Sequence, residues 1–253
     1  MYSNPKLSII TTLYNCEQFI EESIQSVLNQ TYSDFEWIII NDGSTDSTWK
    51  IATEILAEDN RVIMINSSEN KKIPKRRNEA IGLARGKYVA IHDGDDISLP
   101  MRFEKEIAYL EKNDSVFCVG GHAVMIDHES EQTGIMNYPP IRHRQIVNGL
   151  LHKQLNPMID PSTMFKREVF ESLGGYTLDE SIYTVPDMDL WARAIVDGRV
   201  FANLPEIIIK YRKNADGMTE KHKSEMIKAH MHVWRRFRSE LIPATEGETN
   251  VKR

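Results

Sequence analysis

An α/β fold, with a mixed, mostly parallel sheet flanked by helices, is the architecture this sequence predicts, and two observations predict it. From Leu7 to His92, short apolar and β-branched runs alternate with segments whose apolar residues recur at helical spacing, the pattern of β-α units. Three of those runs end in polar clusters: Tyr14-Asn15, Asn41-Asp42-Gly43-Ser44 and Asp93-Gly94-Asp95-Asp96. In a sheet of this kind such clusters gather at the carboxyl edge of the strands, where ligands bind.

The elements follow in order. Leu7 to Tyr14 reads as a buried strand, and Phe19 to Asn29 as a helix with Ile20, Ile24, Val27 and Leu28 on one face. Phe35 to Ile40 is a second strand, Asp42 to Asp46 has turn chemistry, and Ser47 to Ala57 is a helix carrying Ala52, Ile55 and Leu56 inward. Val62 to Ile65 is a third strand. Pro74 opens the next helix and Gly86 closes it, before Tyr88 to His92 forms a fourth strand ending at Asp93. Beyond this point the alternation loosens. Phe103, Ile107 and Leu110 mark a helix, Val116 to Ile126 an extended run around Gly120-Gly121, and Ile146 to Leu151 a helical stretch. Asp187 to Val196 is helical after Pro186, with Leu190, Trp191, Ala194 and Ile195 on its apolar side, and Val200 to Tyr211 returns to strand character.

At 253 residues, with 41% hydrophobic and 27% charged composition, the chain has enough apolar material for one α/β catalytic domain with a tail. No run reaches the ~18–20 apolar residues of a membrane-spanning helix, and Met1 to Lys6 leads into a strand instead of a signal peptide, so the expectation is a cytoplasmic protein. Cys16 and Cys118 lack metal-site spacing and read as small hydrophobes in a reducing compartment. A formal charge of −6 argues against nucleic acid as a partner.

The chemistry concentrates at Asp93-Gly94-Asp95-Asp96. Three carboxylates within four positions repel one another unless a cation or strong donors compensate them. Oxygen-only ligands suit Mg²⁺ or Mn²⁺, and an open coordination sphere suits a metal that also grips a diphosphate. An acidic surface turn is the simple alternative; the position after a buried strand weighs against it. A calcium loop is the other. Asp93, Asp95 and Glu104 hold its first, third and twelfth positions, but Ile97 stands where an oxygen ligand belongs and Ser98 where the turn needs glycine. Asp42 follows an apolar strand and is a candidate acceptor for a nucleobase N–H. In Lys75-Arg76-Arg77, one guanidinium could steady phosphate oxygens.

With these motifs in order, residues 6 to 219 resemble the large inverting glycosyltransferase family 2, whose members have the nucleotide-diphospho-sugar transferase fold called GT-A. The resemblance runs through Leu7 to Asn15, Asn41 to Asp46, Arg77 to Tyr88, Asp93 to Asp96, Phe165 to Tyr176, and Asp187-Met188-Asp189-Leu190-Trp191. It implies a domain over 1–219, with a nucleotide-binding part at 1–96 and an acceptor-binding part at 97–219. It implies that Thr12, Tyr14, Asn15, Asp42, Arg77, Asp93 and Gly94 surround a UDP-sugar, Tyr14 stacking near the base and Asp42 bonding it. Asp93 and Asp95 would hold Mn²⁺ or Mg²⁺, Asp187 would be the catalytic base, and Gly174, Gly175 and Trp191 would lie on the side of a saccharide or lipid-linked acceptor. An inverting displacement needs its base opposite the leaving group, so that carboxylate should come from a different segment than the metal ligands. A nucleotidylyltransferase on a similar fold is a rival, although no glycine precedes Gly43 to form its glycine-rich opening loop; a non-catalytic binding module is another.

The chain departs from the family pattern at Thr12-Leu13, where Pro-Thr is common, at Pro186, where Glu is common, and at Asn214, where His is common. Asp189 is expected to cap the helix or bond backbone. Residues 220–253 are locally basic, with Met226, Ile227, Met231, Val233, Trp234 and Phe237 on one helical face. That stripe has two readings: a helix packed on its own domain, or an interfacial helix that meets an anionic membrane or a partner subunit.

Overall fold

The strand β1 (Leu7–Leu13) is apolar enough to be buried on both faces, and it lies between two parallel neighbours, β2 (Phe35–Asp42) and β4 (Tyr88–Ile91). The structure is a computed structural model and describes residues 4–153, 156–214 and 217–248. β3 (Val62–Ser67) extends the sheet beyond β2, again parallel. Parallel neighbours need crossovers, which α1 (Ile20–Leu28), α2 (Thr48–Leu56) and α3 (Ile73–Leu83) supply. Successive residues of β1 point to opposite faces: Leu7, Ile9 and Leu13 join one apolar cluster with α1, whereas Ile10 joins the other with Ala80 and Ile81 of α3.

The second half adds β5 (Ile97–Ser98), α4 (Arg102–Lys112), β6 (Val116–Ile126), β7 (Gln132–Met136), α5 (His143–Lys153), β8 (Met164–Lys166), α6 (Arg167–Ser172), α7 (Pro186–Val196), β9 (Val200–Arg212), α8 (Met218–Lys221) and α9 (Lys223–Glu248). A single 3₁₀ turn, Asp160–Ser162, precedes β8. The sheet order is β3-β2-β1-β4-β8-β6-β9-β5, with β7 on β6. β8 runs antiparallel to both β4 and β6, and β6 and β9 are parallel. The sheet is therefore mixed and mostly parallel, as expected, with β5, β7 and β8 as additions. Two or three residues are too few for a periodic signal in β5 and β8, and β7 carries Gly134 and mostly exposed side chains.

Trp191 of α7 is fully buried, edge-on to Phe165 (6.3 Å) and Phe201 (5.7 Å). It is a core residue, and no acceptor can reach it. Asp189 is buried, and its side chain neither caps the helix nor bonds backbone. Its carboxylate pairs with Arg193 at 2.8 Å and with Arg236 of α9 at 3.4 Å. Around that pair α9 lies on α7: Ala229, Val233 and Phe237 are buried, and the Trp234 indole N–H donates to the Leu151 carbonyl at 3.0 Å. The stripe thus packs largely on its own domain, with Ile227 left 59% exposed. Residues 249–253 of the expected tail lie outside the described residues.

Two buried features produce tests of this packing. A Cβ on Gly86 would sit 2.6 Å from the Ser8 backbone nitrogen, 2.7 Å from the Leu7 carbonyl carbon and 2.7 Å from Ser8 Oγ, and the two backbone atoms cannot yield as a side-chain end could. Gly86→Ala should lower the unfolding free energy by about 1–3 kcal/mol in urea titration. Glu106 is fully buried against Arg102, 3.2 Å away, and burial pushes its carboxyl up to about 7 despite that guanidinium. A carboxyl raised in the folded state stabilises below its ordinary value near 4.5, and that contribution is lost as pH climbs to about 7. The stability of the wild type relative to Glu106→Gln should therefore fall by roughly 2–3 kcal/mol between pH 5 and pH 8, measured by paired urea titrations.

Candidate active site

The strand order reverses at β1: the chain proceeds from β1 to β2 and β3 on one side, then returns to β4 on the other. Loops leaving β1 and β4 diverge at such a point and open a crevice at the carboxyl edge. Tyr14 and Asn15 follow β1, and the Asp93-Gly94-Asp95-Asp96 turn follows β4.

Tyr14 is 53% exposed and presents an uncovered ring. Asn15 sits at φ 47, a left-handed conformation that Asn tolerates, and works as a staple. Its side-chain carbonyl accepts the Thr45 N–H at 2.8 Å, and its own N–H donates to Ser44 Oγ at 3.1 Å. Asn15 thereby ties the loop after β1 to the loop after β2. Thr12 is half-buried on β1, in register with Ile40.

Asp42 is buried and already accepts three donors: the Lys71 N–H at 2.7 Å, the Lys72 N–H at 3.0 Å and Arg76 Nε at 2.6 Å. A carboxylate offers about four acceptor positions, so about one remains for an incoming N–H. Of the neighbouring arginines, Arg76 serves Asp42, and Arg77 reaches the acidic turn instead. Nη2 of Arg77 donates to Asp93 Oδ1 at 2.8 Å, and Nη1 donates to Asp160. Its side chain is only 4% exposed, and each terminal nitrogen bonds a carboxylate.

The acidic turn is braced from below. A Cβ at Gly94 would lie 2.6 Å from Leu13 Cδ2 and 3.1 Å from Cys16 Sγ, so glycine lets the turn rest on the end of β1. Gly94 faces the core. Arg212, at the end of β9, donates from Nε to the Asp95 carbonyl at 2.8 Å and from its backbone N–H to Asp96 at 2.8 Å. No side-chain donor among the described residues reaches the Asp95 carboxylate. Burial, and then the nearby Asp93 charge, push Asp95 up to about 6. Burial, followed by Asp95 and Asp93, raises the Asp96 carboxyl as well. This clustering of under-compensated carboxylates fits a hard divalent cation held through Asp93 and Asp95. Among the described residues no group of three His, Cys, Asp or Glu side chains forms a closed cage. A cation here would complete its sphere with ligand oxygens and water, as Mg²⁺ commonly does.

Asp187 stands in the first turn of α7. Asn156 donates its side-chain N–H to Asp187, and burial raises the Asp187 carboxyl against that bond and the Met188 N–H. Asp160 lies between the two groups. Burial pushes it up to about 7, with Arg77 opposing and the Asp187 and Asp93 charges adding. The separate segments around Asp93 and Asp187 thus meet across Arg77 and Asp160.

Gly174 and Gly175, expected on the acceptor side, instead end α6 in left-handed geometry at φ 78 and 72. Their N–H groups donate to Glu171 and Phe170 carbonyls at 3.0 and 3.1 Å. A Cβ on Gly175 would meet Asn78 Oδ1 at 2.8 Å, and Asn78 brackets Tyr176, whose ring lies 5.8 Å from the Arg77 guanidinium. Gly175 thus packs against the residue that brackets Tyr176. Asn214 follows β9, two residues beyond Arg212. Sequence reasoning passed over Asn156, Asp160 and Arg212, and it offered Arg76 for phosphate oxygens rather than as the partner of Asp42. Asp160 had a legible signal, as a lone carboxylate within Pro157-Met158-Ile159-Asp160-Pro161.

Residues 8–174 match the model of the family described as Glycosyl transferase family 2. The putative glycosyltransferase EpsE of Bacillus subtilis (strain 168) is 32% identical over 247 residues, covering 97% of this chain and 87% of its own. An Escherichia coli protein, the UDP-Glc:alpha-D-GlcNAc-diphosphoundecaprenol beta-1,3-glucosyltransferase WfaP, is 29% identical over 222 residues, 88% of this chain and 83% of that one. Among solved structures, S. aureus TarS 1–349 in complex with UDP superposes with a TM-score of 0.65 at 17% identity, covering 92% of this chain and 65% of that one. The mannosyltransferase PcManGT from Pyrobaculum calidifontis, in complex with GDP-Man and Mn²⁺, superposes with a TM-score of 0.64 at 16% identity, over 99% of this chain and 77% of that one. A mixed sheet of GT-A type, a family match over most of its length and a relative of this coverage together make the chain a glycosyltransferase, a member of glycosyltransferase family 2.

Proposed function

We propose that the protein transfers a sugar from a nucleoside diphosphate donor, UDP-linked, to a hydroxyl of a saccharide or lipid-linked saccharide, with inversion at the anomeric carbon. The observation that carries this reading is the division of carboxylates. Asp93 and Asp95 share few donors, whereas Asp187 is half-buried, held by Asn156 and supplied by another segment. WfaP is named for UDP-Glc, and one TarS structure holds UDP-GlcNAc, which supports a UDP donor. PcManGT with Mn²⁺ supports a divalent ion.

In this reading Tyr14 stacks on the base and Asp42 offers it the remaining acceptor position. A Mn²⁺ or Mg²⁺ ion on Asp93 and Asp95 would offset the charge that develops on the departing diphosphate. Asp187 takes the proton from the acceptor hydroxyl as that oxygen bonds to the anomeric carbon and the bond to the β-phosphate breaks. A carboxyl raised by burial is a stronger base than an ordinary one, which suits this task. Asn156 orients it, and the same residue lines a cavity of about 270 Å³ with Tyr138, Gln145, Asn148 and Pro157. Amides and an aromatic ring without a charged group suit a neutral sugar, so the reading seats the acceptor there. No helix among the described residues is long and apolar enough to cross a membrane.

Two variants separate the two halves of the mechanism. Asp187→Asn should lower kcat by at least about a hundredfold, the scale of general-base loss, while binding UDP with Mn²⁺ within about twofold of wild type in calorimetry. Asp95→Ala should weaken that metal-dependent binding about tenfold or more and leave metal-free UDP affinity nearly unchanged. Wild-type turnover in Asp187→Asn would remove the base assignment.

A further inference from the structure

We infer that Asp160 is a positioning residue for the leaving-group site, which by dividing the Arg77 guanidinium between itself and Asp93 keeps one oxygen of Asp93 open for a cation. The inference rests on the reading of Asp93 and Asp95 as the metal carboxylates. An arginine next to a single carboxylate takes its most favourable geometry as a two-bond fork, which would engage both carboxylate oxygens. Here the fork is split. Nη2 goes to Asp93 Oδ1 and Nη1 goes to Asp160, and no described donor reaches Asp93 Oδ2. Asp93 remains 29% exposed while Arg77 is 4% exposed, so solvent and solutes reach the carboxylate and not the guanidinium.

Asp160 is built to hold this position. It opens the 3₁₀ turn Asp160–Ser162, whose backbone is fixed by Ser162 N–H to the Ile159 carbonyl at 2.8 Å and Thr163 N–H to the Asp160 carbonyl at 2.9 Å. The Gly121 N–H donates to Ser162 Oγ at 3.2 Å and anchors the turn to β6. Oδ1 of Asp160 is buried without a partner. An acceptor left in this state costs stability, and a counter-ion kept only for packing would satisfy both oxygens on the guanidinium. The arrangement makes sense if half of the guanidinium is needed elsewhere, on Asp93. Remove the Asp160 charge, and Arg77 turns both nitrogens to Asp93, which then loses the oxygen it would offer to the cation.

The test titrates Mn²⁺ into the full chain in the presence of UDP, with GDP in parallel, and reads free Mn²⁺ by electron paramagnetic resonance. Asp160→Asn is expected to weaken Mn²⁺ binding about tenfold, the usual scale for a residue behind a metal ligand, with metal-free nucleotide affinity unchanged. Asp160→Glu, which keeps the charge, should recover most of the loss. Because Asp160→Asn could also disturb folding, Arg77→Lys provides the same test independently: a single ammonium cannot span two carboxylates, and it should give a comparable loss at an intact melting transition. Wild-type Mn²⁺ affinity in both Asp160→Asn and Arg77→Lys, with Asp95→Ala still impaired, overturns the role of Asp160 and leaves the metal reading standing. Wild-type affinity in Asp95→Ala as well overturns the metal reading itself.

Discussion

Like charge crowded at the carboxyl end of β4 is the constraint around which this molecule is arranged. Asp93, Asp95 and Asp96 emerge within one turn, and Asp160 and Asp187 approach from other segments. Such a collection in a half-buried crevice is expensive, because desolvation penalises every ionised carboxylate. The protein offsets it with two arginines of different function. Arg212 braces the turn through backbone and Asp96, and Arg77 joins the turn to Asp160. The compensation is incomplete at Asp95, where a cation-bound diphosphate would add what the chain lacks.

The sheet supports this arrangement. Reversal of strand order at β1 opens the crevice, Gly94 lets the acidic turn settle on Leu13 and Cys16, and Asn15 couples the loop after β1 to that after β2. Across the crevice, α7 carries Asp187 while burying Trp191, and α9 clamps α7 through Val233, Phe237 and the Arg236–Asp189 pair. Rigidity behind Asp187 therefore depends on a helix far beyond it in the sequence.

The first half of the fold was legible because β1, β2 and β4 are continuous apolar runs and their helices keep a clear spacing. The antiparallel insertion of β8 between β4 and β6 was not, since three residues carry no period and the pairing joins positions far apart. In the site, Tyr14, Asp93 and Asp95 stand where their motifs put them, at the end of strands. Arg77 was legible as a candidate, but its pairing with Asp160 was not, because that partner lies 83 positions away. Asp42 likewise draws the Lys71 and Lys72 N–H groups from the loop before α3 and Arg76 from that helix, about thirty residues on and invisible to local pattern. Resemblance aligned Trp191 with the acceptor side, but aligned positions say nothing about burial. The apolar face shared by Leu190, Trp191, Ala194 and Ile195 already pointed Trp191 to the core.

The central claim is that the acidic turn holds the leaving group's cation while Asp187 stays apart from it as the base. Anomalous diffraction at the manganese edge, from crystals grown with UDP and Mn²⁺, tests this most directly. The account predicts a single manganese peak bonded to carboxylate oxygens of Asp93 or Asp95 and to the diphosphate, with Asp187 outside its coordination sphere. A peak coordinated by Asp187 or Asp160, or nucleotide bound with no manganese on the turn, would contradict it.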